Sequence, residues 1–147
     1  MSVGQFVFML HSHLPYYRKA GMWPFGEENL YECMAETYVP LLNAISELYD
    51  EGIKAKLTVG ITPILAEQLA DEHLQHGFVK YIDSRIKSVS KDLERYPDPK
   101  VAHSQHLKYL AKYYFDLWNK LRDDFVNKYE MDLIKYFKKY QDLGCIE

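Results

Sequence analysis

Two histidines separated by one residue, His11 and His13, follow the apolar run Phe6-Val7-Phe8-Met9-Leu10 and lead into Leu14-Pro15-Tyr16. A neutral imidazole donates one hydrogen bond and accepts another, and it can also ligate a metal. Three readings of the pair follow. Alternate residues of an extended segment point the same way, so both rings could share one ion with later ligands. As neutral rings they could instead hydrogen-bond a polar substrate in a cleft. In the third reading they are buried polar groups, satisfied by hydrogen bonds at the end of a strand.

The other candidates are weaker. His73 with His76, and His103 with His106, are spaced by three on helical stretches and so share a face in each pair. No acid or cysteine at matching spacing supports a metal site in either pair, and both read as surface histidines. Cys33 and Cys145 are far apart, with no C-x-x-C spacing, and read as packing residues. The loop from Leu14 to Gly26 carries two prolines, two glycines and a concentration of Tyr, Trp and Phe. Within it, Trp23 beside Pro24 suggests a lid on a crevice, a stacking platform for ligand, or a small satellite core.

These residues need elements to hold them. The run before His11 fits a strand over about 3–11, buried on both faces in a parallel sheet covered by helices and ending at His11. Functional groups collect at the carboxyl ends of such strands, where loops converge. From Glu27, whose carboxylate with that of Glu28 suits a positive helix end, Leu30, Cys33, Met34, Thr37, Tyr38, Leu41, Leu42, Ile45, Leu48 and Tyr49 recur at helical spacing. Pro40 should kink this helix, and Gly52 should close it in the left-handed conformation. A second strand over about 53–61 alternates Ala55, Leu57, Val59 and Ile61 with polar residues. Strand, helix and strand predict a right-handed crossover with the strands parallel, placing Gly60 to Pro63 beside His11 to Pro15.

Thr62 reads as the cap, and Pro63 as the first residue, of a helix running to Leu74. It opens a helical excursion over about 64–141, broken at Tyr96-Pro97-Asp98-Pro99 and far longer than the dozen or so residues a crossover needs. Gly144 closes the last helix, and Cys145-Ile146-Glu147 reads as a third strand starting at about 145 and cut off as it begins.

At 147 residues the chain suits one domain but is short for a barrel of eight βα units at roughly 250 residues. A net charge of −3 gives no broad attraction for nucleic acid or an anionic membrane, and neither is expected as a partner. No apolar run approaches the roughly 18 residues of a membrane span, and the start lacks a secretory signal, so the cytoplasm is expected. Most of the 13 tyrosines are read as packing helices with their hydroxyls at the surface.

With these stretches placed, the chain resembles glycoside hydrolase family 57, and within it the α-1,4-glucan branching members. The matching text is His11-Ser12-His13-Leu14-Pro15-Tyr16, Arg18-Lys19, Trp23-Pro24-Phe25-Gly26-Glu27-Glu28, Ala35-Glu36-Thr37-Tyr38, Pro40-Leu41-Leu42 and Thr62-Pro63-Ile64-Leu65-Ala66-Glu67-Gln68-Leu69. Leu143-Gly144-Cys145-Ile146-Glu147 is similar to the opening of the family's second signature region. Asn29 departs from the pattern, standing where a tryptophan is expected near the cleft entrance.

The resemblance implies an α/β fold: the N-terminal portion of an incomplete (β/α)7 barrel, truncated at the third strand. It implies a retaining mechanism on α-glucan, with two carboxylates about 5 to 5.5 Å apart. A glutamate attacks, an aspartate protonates the leaving oxygen, and a sugar 6-hydroxyl accepts the chain to make an α-1,6 branch. Both carboxylates are expected beyond residue 147, so the chain supplies no catalytic residue. It would supply His11 and His13 as hydrogen-bonding partners of the reacting sugar, and Trp23 along the glucan path. Alternatives are an α-glucan hydrolase of the same family, a fragment of a metal-dependent amidohydrolase, and a non-catalytic glucan-binding module. On the branching reading the isolated 147 residues need the remainder of the barrel to fold and do not catalyse. Incubated with amylose, the purified chain is expected to make no α-1,6 linkages, and any that appeared would overturn this reading.

Overall fold

A computed structural model describes residues 4, 6–96 and 103–147, in two compact units. The first comprises Met1–Gln75 with Asp132–Glu147, and the second His76–Met131.

In the first unit, β1 (Met9–Ser12) and β2 (Thr58–Ile61) pair in parallel with Met9 opposite Thr58, His11 opposite Gly60 and Ser12 opposite Ile61. The strand ends therefore lie side by side as expected, although β1 runs one residue past His11. Both strands are shorter than the sequence suggests. Lys56 adopts a left-handed backbone (φ 51°), which no strand accommodates, so pairing begins only at the residues after it. Phe6 to Phe8 lie outside the paired segment, although the Phe8 carbonyl accepts the Thr58 N–H at 3.1 Å.

Burial on both faces is the expectation the structure overturns. Phe6, Val7 and Met9 are 88%, 73% and 62% exposed, because among the described residues no helix covers this part of a two-stranded sheet. At the other end, Ile146 makes a parallel bridge to Leu57. The Glu147 N–H donates to the Leu57 carbonyl at 2.8 Å, and the Val59 N–H donates to the Glu147 carbonyl at 2.7 Å. Alternate backbone groups of a strand point to opposite edges, so β2 lies between β1 and this last segment.

The crossover helix is built around its proline. α1 (Glu27–Cys33) passes through a π-helical turn (Met34–Tyr38) into α2 (Val39–Asp50), and the Val39 N–H donates to the Met34 carbonyl five residues back. The wide turn lies just before Pro40, where a regular α-helix would need the amide hydrogen that proline lacks. Leu30, Tyr31, Met34, Tyr38, Val39, Leu42 and Ile45 form its buried face.

Gly52 ends α2 at φ +79°, with its N–H donating to the Tyr49 carbonyl and the Ile53 N–H to that of Leu48. Gly144 repeats the arrangement at φ +68° after α6 (Leu133–Asp142), through Gln141 and Tyr140. Both are paired-bond helix ends that require a left-handed residue.

α3 spans Pro63–Ala70 and stops short of the expected Leu74. Asp71 takes extended backbone there and starts α4 (Glu72–Arg95), its carboxylate accepting the Leu74 N–H at 3.1 Å. Thr62 stands at the cap position of α3 without capping it: its hydroxyl oxygen is buried and unpaired. α6 packs on α2 and α3, and its own cap is Asp132, which accepts the Lys135 N–H.

In the second unit, α4 continues from His76 and is joined by α5 (Ser104–Asp123) and a second π-helical turn (Asp124–Lys128). Phe78 meets Phe125 edge-on at 4.8 Å between ring centroids, and Tyr81 meets Trp118 at 6.0 Å. The expected break at Tyr96–Pro99 falls, from Pro97 on, outside the described residues. A further break was not expected: Glu130 and Met131 are both left-handed, although neither is glycine. No helix among the described residues is long and apolar enough to cross a membrane.

Gly52 offers a clean test of the helix end, because nothing lies within 4 Å of where its Cβ would stand. Gly52→Ala is therefore expected to act through backbone strain alone, lowering stability by about 1 to 2 kcal/mol in urea unfolding. An unchanged midpoint would contradict the assigned conformation.

Candidate active-site wall

His11 and His13 both stand exposed at the carboxyl end of β1, alternating with the half-buried Ser12. The reading of the pair as buried, satisfied groups is therefore corrected. Opposite His11 the chain has Gly60, and a Cβ placed there would lie 3.3 Å from His11 Nδ1. The missing side chain leaves that nitrogen free of a crowding methyl. Ser12 turns the other way and hydrogen-bonds Tyr38, whose phenol is pushed up to about 12 by burial. Among the described residues, no group of three or more His, Cys, Asp and Glu could hold a metal ion.

The loop leaving this strand end is clamped from two directions. Gln68 on α3 is 1% exposed. Its Oε1 accepts the Tyr17 N–H at 2.6 Å, and its Nε2 donates to the Pro15 carbonyl at 2.9 Å. Arg18 donates to Asp71 at 2.6 Å, and the Lys19 N–H donates to Glu27 Oε1 at 2.8 Å. His73 Nε2 lies 2.9 Å from the same Glu27 oxygen, and the Tyr31 hydroxyl donates to Oε2 at 3.0 Å.

The electrostatics follow from these contacts. Burial alone would raise the Glu27 carboxyl, but hydrogen bonds from Lys19, His73 and Tyr31 outweigh it and hold the group below its ordinary value. Burial and the adjacent Glu27 carboxylate push the Tyr31 phenol far up, so it stays a donor. Asp71 is likewise held low: Arg18 and the backbone N–H groups of Leu74 and His73 overcome the effect of burial.

This clamp was not anticipated from the sequence, although two signals point to it. Gln68 falls in phase with the buried Leu65 and Leu69, and Glu27 in phase with the buried Leu30 and Tyr31. A polar residue at a core position demands partners. His73 keeps the surface placement expected of it, with its side chain 48% exposed, yet one ring nitrogen is engaged. His103 and His106 do not share a helical face, because His103 is left-handed and precedes α5.

Trp23 sits farther along the loop, on a turn where Gly21 and Met22 carbonyls accept the N–H groups of Glu27 and Glu28. Gly26 closes that turn, and a Cβ there would lie 2.0 Å from the Gly21 carbonyl oxygen, so no side chain fits. Trp23 and Phe25 are 79% and 80% exposed, which rules out a satellite core formed by these two rings.

The sequence matches a known family of proteins along nearly its whole length: the family model described as glycosyl hydrolase family 57 covers residues 7–147. The chain belongs to glycosyl hydrolase family 57. It is 38% identical over 144 residues to a 1,4-alpha-glucan branching enzyme of Thermococcus kodakarensis, a match covering 98% of this chain and 20% of that enzyme. A probable 1,4-alpha-glucan branching enzyme of Mycobacterium tuberculosis is 42% identical over 74 residues, half of this chain and 14% of the relative.

Among solved structures, the family 57 branching enzyme of Pyrococcus horikoshii superposes with a TM-score of 0.87 at 37% identity, covering 96% of this chain and 25% of that one. The alpha-amylase AmyC of Thermotoga maritima gives 0.80 at 30% identity, covering 96% and 26%. The chain thus spans a fifth of the Thermococcus enzyme and a quarter of the Pyrococcus one, and its mixed α/β fold matches the corresponding part of the solved structures.

The depressed Glu27 carboxyl makes the clamp sensitive to acid. In the unfolded chain this group takes protons at its ordinary 4.5, and in the folded chain only at lower pH. Its stabilisation is therefore complete above 4.5 and is lost as pH falls through the folded value. Glu27→Gln is expected to cost about 1 to 3 kcal/mol at neutral pH in urea unfolding. The gap from the wild-type chain should shrink below pH 4.5, and a gap independent of pH would contradict the assignment.

Proposed function

We propose that this chain forms the first wall of the substrate cleft in an α-1,4-glucan branching enzyme. In this reading it is the N-terminal part of an incomplete (β/α)7 barrel. The observation that carries it is the pair of solvent-open imidazoles at the carboxyl end of the parallel strands, with Gly60 clearing space beside His11. The names of the relatives from Thermococcus and Pyrococcus supply the reaction.

The chemistry follows from the residue types. Neutral imidazoles offer a donor and an acceptor at fixed positions, which suits sugar hydroxyls. Trp23 offers a flat apolar face to a glucose ring. Holding the reacting sugar in the attack geometry can supply a large share of the barrier, about 7 to 11 kcal/mol in ideal intramolecular cases. The glutamate nucleophile and the aspartate acid/base belong to sequence beyond Glu147, and the role of this wall is to orient the sugar they act on.

A second reading is hydrolysis of α-glucan, favoured by the likeness to the alpha-amylase AmyC. The two differ in whether a sugar hydroxyl or water takes the glycosyl group, and they share the same sugar-binding wall.

Calorimetric titration with maltoheptaose, in the enzyme that joins this chain to the remainder of its barrel, tests that wall. His11→Ala and His13→Ala are each expected to weaken binding about tenfold, the loss of one or two hydrogen bonds to the sugar. Wild-type affinity in both variants would refute the assignment.

A further inference from the structure

We infer that Gln68 is a positioning residue for the histidine pair: its carboxamide sets the course of the chain immediately after His13. The inference rests on the glucan-binding reading above. Gln68 is buried on α3, and it bonds the loop backbone instead of any loop side chain. The Tyr17 N–H can only donate and the Pro15 carbonyl can only accept, so the two partners fix which way the carboxamide points. Its second N–H reaches the Ile64 carbonyl at 3.3 Å, so both donor hydrogens are used. A carboxylate could satisfy Tyr17 but would oppose the Pro15 carbonyl, and a hydrocarbon would leave both unpaired.

The effect reaches His13 because the intervening backbone is stiff. Pro15 has a fixed φ, and Leu14, preceding a proline, is confined to extended conformations. Holding the Pro15 carbonyl therefore holds the residue two positions back. The neighbouring anchors act farther along the loop, Arg18 on Asp71 and Lys19 on Glu27. On the strand side of His13 the Thr62 N–H donates to the Ser12 carbonyl at 3.2 Å, and on the loop side Gln68 holds the turn.

The test is made in the enzyme that joins this chain to the remainder of its barrel, and compares the wild type with Gln68→Met and Gln68→Glu, reading maltoheptaose affinity and hydrogen exchange at the Tyr17 amide. Gln68→Met keeps the side-chain bulk and removes both hydrogen bonds, and should weaken sugar binding about tenfold at every pH. In Gln68→Glu the introduced carboxylate should bind as poorly at neutral pH. Below about 4.3, the ordinary glutamate value, the neutral acid can donate to Pro15 while accepting from Tyr17. Its affinity relative to wild type should then recover, together with slow Tyr17 exchange. The ionisable groups around the loop, Arg18, Asp71, Glu27, His73, His11 and His13, are present in every variant, so the ratio to wild type at each pH removes their contribution. Recovery within one variant also separates positioning from a failure to fold.

If both variants bind like wild type, or Gln68→Glu stays weak at every pH, the inference is overturned while the glucan reading stands, provided His13→Ala still weakens binding. If the wild-type enzyme, with this chain joined to the remainder of its barrel, does not bind the sugar, the glucan reading fails and this inference falls with it.

Discussion

A segment that leaves a strand end loses its hydrogen-bonding ladder at once, yet any of its backbone groups that become buried still need partners. Here that requirement falls on the residues after His13, and two buried polar side chains meet most of it: Gln68 from α3 and Glu27 at the start of α1. Everything proposed for the strand end depends on this clamp. His11 is held by the strand pairing itself, but without the clamp the ring of His13 would stand on an untethered loop, and orientation is what a hydrogen-bonding wall would contribute. The charged members are partly exposed, and a surface ion pair such as Arg18 with Asp71 is worth little by itself. The buried Glu27 contributes more, because three donors converge on it and burial makes each unpaired alternative expensive.

The clamp draws on elements that a parallel connection brings together. The crossover through α1 and α2 returns the chain to lie beside its own first strand, and α3 starts directly from the end of β2. Gln68 therefore begins close to the loop it holds, although 53 residues separate it from Pro15. This is the arrangement by which open α/β sheets build sites at strand ends, with rigid strands beneath and loops tied to the next helix.

Much of this was legible in the sequence where the signal is local. The abrupt ends of both apolar runs predicted the parallel register around His11 and Gly60, and Gly52 and Gly144 predicted both left-handed helix ends. Family membership was legible in the linked stretches from His11 to Leu69. Other features were not legible, for identifiable reasons. Lys56, Glu130 and Met131 adopt left-handed backbone without being glycine, so nothing in their types announces a strand start or a helix break. The stop at Asp71 is hidden inside a good helical pattern, because aspartate serves both as a tolerated interior residue and as a cap. The contacts of Gln68 with the loop and of His73 with Glu27 join residues 46 to 53 positions apart, which periodicity cannot detect. The expected burial of Phe6 to Met9 failed because apolar type predicts a preference for cover without supplying it.

Gly60 gives the proposed sugar-binding wall of this chain an engineering handle. The contact a methyl would make there with His11 is tight without being impossible, 3.3 Å to a ring nitrogen at the far end of a rotatable side chain. A single added carbon would thus act as a wedge, swinging the imidazole aside while leaving its neighbours in the strand in place. Ligand preference could then be tuned from the adjacent strand, without altering either histidine.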